Sequence, residues 1–314
     1  MEVNLFHPVY NYTNTAIDAI NKRLQESPGC SLAYSPDSVF FHSGYLYESL
    51  DTPRPKKTVS IVICTYGRPE SLNDTLHSLA QQTWKGFEVV LISEKGDLSR
   101  LRQRGLESAV GDIVSLIDDD VYCEPTWLES VVKTFKERKG VVGVTGPTII
   151  TSEYQQNRDS IRYTKLRKLQ EWLFGVPSEP GRLSSCGAPS MASNFEGCEY
   201  EGEVAYLECC NMSVKRKEAL DVGGFENFYI RTSEWCEVDL SLKIAKKGKL
   251  IFVPECKLYH RPSKAGIYKA RLQTNHRWEN FIKFQKRWIR PGLRTYAYRA
   301  FIWTYFQMKS LRMI

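Results

Sequence analysis

Three consecutive carboxylates, Asp118, Asp119 and Asp120, end an apolar run in the stretch SLIDDDVYCEP at 115–125. Adjacent carboxylates repel one another, so either cations compensate them or they form a hydrated turn. Carboxylate oxygens are the ligands that Mg²⁺ and Mn²⁺ prefer, and these ions are commonly held by one or two carboxylates together with substrate phosphates. The cluster therefore predicts a divalent cation site for a diphosphate, with a solvated acidic turn as the alternative.

The surrounding pattern predicts where the cluster lies in the fold. TVSIVICT, FEVVLIS and DIVSLI are apolar runs typical of buried strands, and PESLNDTLHSLAQQ and LSRLRQRGLESAVG repeat apolar residues at helical spacing. This alternation of strand and helix predicts a parallel sheet. Because ligands bind outside the carboxyl ends of such strands, we expect residues 65–70, residues 93–97 and the Asp cluster to converge on one rim.

Composition excludes several classes of protein. The 314 residues are enough to bury one sizeable core. No apolar run approaches the roughly 18 residues of a membrane span, and the N-terminal stretch does not resemble a signal sequence. Nine cysteines without a CxxC pair or zinc spacing favour reduced thiols in a cytoplasmic protein.

Positive charge is concentrated at the C-terminal end. Residues 261–314 contain thirteen Lys and Arg against one Glu, a net charge of +12, which leaves residues 1–260 at −5 because the whole chain is +7. Eleven aromatic residues are interleaved with this charge. The pattern is typical of an interfacial helix on anionic lipid or of a stacking surface for nucleic acid, while packing of the aromatic side on the domain is the third alternative. We predict a helical tail that binds the cytoplasmic face of a membrane, and no nucleic acid partner.

Three domains are predicted from these patterns. DTPRPKK at 51–57 has the composition of a linker, so residues 1–57 are an N-terminal extension in which FFHSGYLYESL alternates like a hairpin or edge strand. Residues 58–260 form the main domain, and residues 261–314 the tail. Within the main domain, residues 151–200 are rich in turn residues and are predicted to cover the substrate.

Four segments stand in a characteristic order: SIVICTYGRPESL, the DDD after an apolar strand, NMSVKRKEALDVGGF and CEVDLSLKIAKKGKLIFVPECKLYH. In this order and spacing they resemble family 2 of the glycosyltransferases, inverting enzymes with the GT-A fold, and the resemblance runs from about Thr58 to His260. It implies an α/β fold with a Rossmann-like, mostly parallel sheet flanked by helices, to which the short N-terminal extension and the helical basic C-terminal tail are added.

The same resemblance implies a reaction. One sugar would move from a nucleotide-diphosphate sugar, with a UDP-sugar favoured, to a hydroxyl of a glycan or lipid-linked acceptor. Mn²⁺ or Mg²⁺ would be the cofactor. A divalent cation neutralises the charge that develops when a diphosphate leaves, and a carboxylate is the usual base for an acceptor hydroxyl.

Residue roles are carried over from the matching motifs. The resemblance implies that one group of residues contacts the nucleotide sugar: Thr65, Tyr66, Arg68, Glu70, Glu94, Arg102, Asp118 and Asp119. Asp120 and His260 are implied as metal ligands. Glu237, at the start of the helix that follows the GGF turn, is implied as the catalytic base.

The chain departs from the family pattern at two places. The family's Asp after the second strand is replaced by Ser93-Glu94, and its acidic pair is Cys236-Glu237 here. Simpler roles also stay open for several residues. Arg68 and Arg102 are then surface cations, His260 is structural, and Asp239 forms an i,i+4 pair with Lys243, which is the interpretation we favour for Asp239.

Two other classes of function remain as alternatives. A sugar-phosphate nucleotidyltransferase would use a related sheet but a Gly-rich phosphate loop, which CTYGRPES is not. A non-enzymatic nucleic-acid-binding protein would explain the tail but not the Asp cluster. Processive polysaccharide synthases carry QxxRW and membrane helices, whereas QTNHRW and QKRW have different spacing, so transfer of a single sugar is favoured.

Overall fold

The computed structural model describes residues 15–26, 31–36, 44–47, 50–51, 53–150, 165–190, 198–261 and 274–310. The helices there are α1 (Thr15–Glu26), α2 (Pro69–Ala80), α3 (Leu98–Ser108), α4 (Trp127–Glu137), α5 (Lys165–Phe174), α6 (Arg216–Asp221), α7 (Cys236–Ile244), α8 (Thr274–Trp288) and α9 (Leu293–Ser310). The strands are β1 (Ser31–Pro36), β2 (Gly44–Tyr47), β3 (Val59–Cys64), β4 (Phe87–Ile92), β5 (Ile113–Ile117), β6 (Val121–Cys123), β7 (Val141–Thr145), β8 (Thr148–Ile150), β9 (Gly202–Glu203), β10 (Asn211–Lys215), β11 (Lys249–Phe252) and β12 (Leu258–His260).

A nine-stranded sheet in the order β2-β1-β4-β3-β5-β10-β7-β11-β9 forms the centre of the described structure. β3 pairs in parallel with both β4 and β5, and β7 pairs in parallel with β11. β10 lies antiparallel between β5 and β7. The other five strands, β3, β4, β5, β7 and β11, therefore all run in the same direction. The predicted α/β fold with a mostly parallel central sheet flanked by helices is confirmed.

Helices cover both faces of this sheet. Alternate residues of β3 point to opposite sides, so Ile61 and Ile63 join the core under α1, α2 and α4, while Val62 joins the core under α3 and α7. Burial on both faces explains why the parallel strands are continuous apolar runs. A second sheet, β6-β12-β8, contains three strands, and its register sets β12 beside the segment that follows the Asp cluster.

The N-terminal elements extend the central sheet at one edge. β1 pairs antiparallel with β4 and with β2, which confirms the hairpin or edge strand predicted near residues 40–50. The stretch predicted as a linker is anchored, because the Arg54 guanidinium lies 2.9 Å from the Glu88 carboxylate and both side chains are buried. The division of the chain at residues 57 and 260 stays a prediction.

The predicted helical tail is confirmed, and its first helix packs against the domain. Phe281 and Phe284 of α8 are fully buried, and Trp288 Nε1 donates a hydrogen bond of 2.7 Å to Asp239 of α7. For α8 the packing alternative is therefore correct. Among the helices that the structure describes, none is both long and apolar enough to cross a bilayer.

The region predicted as loop-rich contains the helix α5, which the sequence analysis did not identify. Residues 151–164 and 191–197, to which a substrate-covering role was also assigned, lie outside the described residues. The eight cysteines within the described residues are free thiols, as the sequence analysis expected, and the ninth, Cys30, lies outside them.

Candidate active site

Strand register brings four segments of the chain to one rim. Ile63 of β3 lies beside Ile117 of β5, so the residues that follow these two parallel strands are neighbours at the carboxyl end of the sheet. Asn211, the first residue of β10, pairs with Ile117 from the other side. His260 of β12 pairs with Val121, directly after the Asp cluster. The predicted convergence on one rim holds for residues 65–68 and 118–120.

Arg68 compensates two carboxylates of the Asp cluster. Its guanidinium pairs with Asp119 and lies 3.1 Å from Asp120 Oδ2. Asp119 is fully buried, and burial raises the pKa of its carboxyl to about 7. Arg68 and a hydrogen bond from Thr65 lower that pKa, while Asp120 and Asp118 raise it. Arg68 is therefore a partner of the Asp cluster and not merely a surface cation.

The other predicted residues of the first loop have different surroundings. Thr65 is buried, and its amide donates to Ile92 O at 3.0 Å, which fixes the end of β3 against β4. Tyr66 is 43% exposed, with Lys95 Nζ 5.5 Å from its ring centroid. Glu70 is exposed in the first turn of α2. The structure thus brings Thr65 and Arg68 to the Asp cluster and leaves Tyr66 and Glu70 on the open surface.

Glu94, predicted to replace the family's Asp after the second strand, is held by side chains of the protein itself. It pairs with Arg104 of α3 and accepts a hydrogen bond of 3.0 Å from Ser31 Oγ of β1. Through these contacts the Glu94 carboxylate connects the end of β4 to α3 and to β1. A nucleotide contact by Glu94 stays a prediction.

Potential metal ligands converge beside the Asp cluster. His260 Nε2 lies 3.1 Å from Asp120 Oδ1 and 3.9 Å from Asp118 Oδ2. Ligand atoms of Asp118, His260 and Cys210 all lie within 4.8 Å of one another. Carboxylate oxygens and an imidazole suit Mn²⁺, and the two oxygen donors also suit Mg²⁺. The carboxylate and imidazole donors at this rim therefore fit the predicted cofactor, whereas the Cys210 thiol is a soft donor that suits neither ion.

Cys210 is the residue that sequence reasoning missed. It precedes β10, and only the pairing of β10 with β5 brings its thiol beside Asp118. Burial raises the pKa of this thiol, and the nearby Asp118 raises it further. Asn211, the next residue, is structural, because its amide donates to Cys256 O at 2.8 Å and accepts from Trp127 Nε1 at 3.0 Å.

Arg102 connects the Asp cluster to the helix that carries Glu237. Its guanidinium lies 3.5 Å from Asp118 Oδ1 and donates at 3.6 Å to the Cys236 thiol at the start of α7. The side chain is buried, so Arg102 is not a surface cation. It can reach both groups because α3 lies very close to β3: a Cβ on Gly105 would stand 2.3 Å from Val62 Cγ1.

The three acids near the start of α7 have distinct environments. Asp239 is fully buried and accepts hydrogen bonds from Trp288 Nε1 and Tyr229 Oη, with Arg287 Nε 3.2 Å away. The predicted i,i+4 pair is present, with Lys243 Nζ 3.8 Å from Asp239 Oδ1, and the other three partners are closer.

Glu234 lies 3.0 Å from Arg277 Nε of α8 and accepts a hydrogen bond of 2.6 Å from Thr232 Oγ1. Glu237 is partly accessible. Burial raises the pKa of its carboxyl against the lowering effect of Arg102, and Glu234 raises it further. Within the described residues, Asp239 and Glu234 are therefore paired with cations of α8. Glu237 is instead influenced by Arg102 of α3, which lowers the pKa of its carboxyl.

A strained segment positions the start of α7. Arg231, Ser233 and Trp235 all have positive φ values, of 55°, 50° and 78°, which residues with a Cβ seldom adopt. Contacts with α3 hold this segment: Arg231 N donates to Asp97 Oδ1 at 2.5 Å, and Leu98 N donates to Arg231 O at 2.9 Å. Such strain persists only where the surroundings over-determine it, and it clusters at functional sites.

Comparison with known proteins agrees with this geometry. Residues 60–95 and 93–188 match the model of glycosyl transferase family 2. The chain therefore resembles glycosyl transferase family 2 over residues 60–188. This match supports sugar transfer as the reaction class and favours it over the nucleotidyltransferase and nucleic-acid-binding alternatives.

Curated and solved glycosyltransferases are among its similar proteins. A glucosyl-dolichyl phosphate glucuronosyltransferase of Haloferax volcanii is 25% identical over 70% of this chain and 69% of its own length. The amylovoran biosynthesis glycosyltransferase AmsB of Erwinia amylovora is 22% identical over 78% of this chain and 81% of its own length. The mannosyltransferase PcManGT of Pyrobaculum calidifontis, solved with GDP-Man and Mn²⁺, is 13% identical with a TM-score of 0.47, and the match covers 92% of this chain and 80% of that one.

Removing Arg68 tests the charge balance of the Asp cluster. Arg68→Ala leaves buried carboxylates without their cation, and we expect the free energy of unfolding at pH 8 to fall by about 3–5 kcal/mol. The folded-state pKa of Asp119 already lies above its ordinary value of 3.8, so its contribution to stability falls as pH rises from about 4 to about 7. Without Arg68 that pKa is higher still, so the deficit should be smaller at pH 6 than at pH 8.

Urea denaturation at the two pH values measures this difference. Arg100→Ala is the matched control, because Arg100 is an exposed residue of α3, and it should change stability by no more than about 0.5 kcal/mol. An Arg68→Ala deficit that is equal at pH 6 and pH 8 would contradict the assignment of Arg68 to Asp119.

Proposed function

We propose that this protein is an inverting, metal-dependent glycosyltransferase that moves one sugar from a nucleotide-diphosphate sugar to an acceptor hydroxyl. The observation that carries the proposal is the position of Arg102, which contacts Asp118 on one side and the start of α7 on the other. The leaving group of a donor bound at the Asp cluster would then lie beside Arg102. Glu237, on the helix that Arg102 also contacts, would belong to the same site. The Asp cluster, which would bind the leaving diphosphate, and Glu237, which would accept the proton, are thus connected through one side chain.

The donor end of the site would bind the nucleotide diphosphate. Asp118, Asp120 and His260 are the residues that would hold a divalent cation, which supplies Lewis-acid stabilisation of the departing diphosphate. Arg68 and Arg102 place two further positive charges beside the carboxylates. Mn²⁺ or Mg²⁺ suits the oxygen donors, and a UDP-sugar is the donor that the sequence analysis favours.

Glu237 would act as the general base. A carboxylate that takes a proton from an acceptor hydroxyl works best when its pKa lies near the working pH, and the pKa of Glu237 is raised by burial. Glu234 and Asp239 are weaker candidates because cations of α8 already engage them. A base that activates the acceptor opposite to the leaving diphosphate produces single displacement, and hence inversion at the anomeric carbon.

The acceptor would be a glycan or a lipid-linked saccharide. Two relatives support this class by their names, one acting on a glucosyl-dolichyl phosphate and the other in amylovoran biosynthesis. A cytoplasmic location, with the enzyme at the membrane face where such acceptors are assembled, follows from the same proposal and from the reduced thiols.

The metal assignment predicts the behaviour of Asp120→Asn. The variant should fold, because the amide keeps the shape of the carboxylate, but it should lose metal-dependent binding of UDP or another nucleoside diphosphate. Isothermal titration with Mn²⁺ present and absent measures this. Asp112→Asn is the matched control, since Asp112 precedes β5 at its opposite end and is exposed. Unchanged metal-dependent affinity in a folded Asp120→Asn protein would refute the assignment.

The base assignment predicts a reduced rate with nearly normal donor binding for Glu237→Gln. The amide keeps volume and hydrogen bonding but cannot accept a proton, and loss of a general base typically costs about 10²–10⁴ in rate. Metal-dependent turnover of a panel of nucleotide sugars measures kcat, first by hydrolysis, in which water replaces the acceptor, and then with acceptors. Nucleotide affinity is measured in parallel.

Two matched variants distinguish the neighbouring acids. Asp239→Asn should mainly lower stability, because Trp288, Tyr229 and Arg287 lose their charged partner, and Glu234→Gln should retain most of the rate. If Glu237→Gln turns over at nearly the wild-type rate while Glu234→Gln or folded Asp239→Asn is inactive, the base is a different carboxylate.

A further inference from the structure

Exposed apolar side chains are concentrated on two helices. Of the seven large apolar side chains that are exposed in the described part of the chain, six belong to α5 and α9. We call these six the apolar face: Leu169 at 43%, Trp172 at 78%, Leu173 at 42%, Leu293 at 89%, Tyr296 at 56% and Trp303 at 50% exposed. Scattered single apolar residues are normal on a protein surface, but a concentration of this kind marks an interaction site.

The two helices have a packed side as well as this exposed one. Phe174 of α5 lies 4.9 Å from Tyr298 and 5.4 Å from Phe301 of α9, measured between ring centroids, and Tyr298 also packs against Phe281 of α8. The internal contacts of α5 and α9 are therefore made by other residues. Leu293, Tyr296 and Trp303 follow the i, i+3, i+10 spacing of a single helix face. The residues of the apolar face therefore do not take part in these packing contacts between the helices.

The parts of the apolar face on α5 and α9 meet at Arg294. Its guanidinium donates at 3.4 Å to Leu173 O, which joins the start of α9 to the end of α5. Basic residues accompany the apolar face in the sequence: Lys168 on α5, Arg290 just before α9 and Arg294 on α9 are exposed, and Arg299 lies over the Tyr296 ring at 5.3 Å. α5 and α9 together contain six Lys and Arg and one acid, Glu171, a net charge of +5.

We propose that the apolar face binds the surface of an anionic lipid bilayer. Trp and Tyr are the side chains enriched at membrane interfaces, and exposed Leu adds apolar area that the acyl boundary can bury. Lys and Arg beside them are attracted to anionic headgroups. A second copy of the chain fits less well, because a symmetric dimer would set this basic surface against itself.

The position of α8 gives this contact a functional consequence. One side of α8 binds α7 through Asp239 and Trp288 and through the stacking of Phe284 on Trp235 at 4.6 Å. The same side of α8 reaches α9, because the Phe281 ring lies 5.5 Å from Trp235 and 5.7 Å from Tyr298 of α9, measured between ring centroids. A bilayer bound at the apolar face would therefore lie one helix away from the helix that carries Glu237. Membrane binding itself does not depend on the proposed sugar transfer.

Vesicle flotation of the full chain tests the proposal without any activity measurement. The probes are phosphatidylcholine vesicles with and without about 30 mol% phosphatidylglycerol as the anionic lipid, in low and high salt. We expect binding to the anionic vesicles that weakens as salt screens the charge. Trp172→Ser/Trp303→Ser should reduce the bound fraction at least about tenfold, since both side chains would bury apolar area in the bilayer.

Charge variants provide the matched control. Arg290→Gln/Arg294→Gln should lose binding to anionic vesicles, whereas Lys133→Gln/Lys139→Gln, an equal change at exposed residues of the α4 region, should not. Circular dichroism confirms that each variant is folded. Equal binding to neutral and anionic vesicles, no binding to either, or unchanged flotation of the folded Trp172→Ser/Trp303→Ser protein would overturn the proposal. A dimer in light scattering that this double variant dissociates, without vesicle binding, would also overturn it and assign the face to a second copy.

Discussion

The structure of the site depends on compensating three adjacent carboxylates at the end of one buried strand. Arg68 reaches Asp119 and Asp120 from the start of α2, Arg102 reaches Asp118 from α3, and His260 approaches from β12. Each partner belongs to a different element, so α2, α3 and β12 must all end or begin at the same rim. A cluster of like charges is costly unless such partners are in place. Carboxylates and guanidinium groups consequently lie side by side at this rim. The carboxylates suit a divalent cation, and the guanidinium groups suit the diphosphate bound to it.

The C-terminal helices complete the site from the other side. α8 engages Asp239 through Trp288 and Arg287, and Glu234 through Arg277, so two of the three acids near the start of α7 have structural partners. The strained segment 231–235 is held between α3 and α8, because Ile230 and Asn280 exchange hydrogen bonds of 3.0 Å. Within the basic segment 261–314, α8 is therefore packed against α7, whereas α9 is exposed together with α5, which lies earlier in the chain.

Local sequence signals predicted the elements that carry the site. Buried strands are continuous apolar runs and the helices between them show clear periodicity, so β3, β4, β5, α2 and α3 were all identifiable, and with them the rim where Asp118 and Arg68 meet. The remaining features depend on contacts between distant segments. Cys210 approaches Asp118 only through the pairing of β10 with β5, and β11 and β12, although close in sequence, belong to two different sheets. The burial of Phe281 and exposure of Trp303 could not be distinguished by composition, because both lie in the same aromatic, basic stretch.

The central claim is that this rim holds a divalent cation with a nucleoside diphosphate. The most direct measurement is a crystal structure of the full chain grown with Mn²⁺ and UDP, with anomalous diffraction recorded on both sides of the manganese absorption edge. The account predicts an anomalous peak within about 2–2.5 Å of carboxylate oxygens of the Asp118–Asp120 cluster, with His260 adjacent and the diphosphate bound to the same ion. Nucleotide bound at another place, or bound at this rim without an anomalous peak, would contradict it.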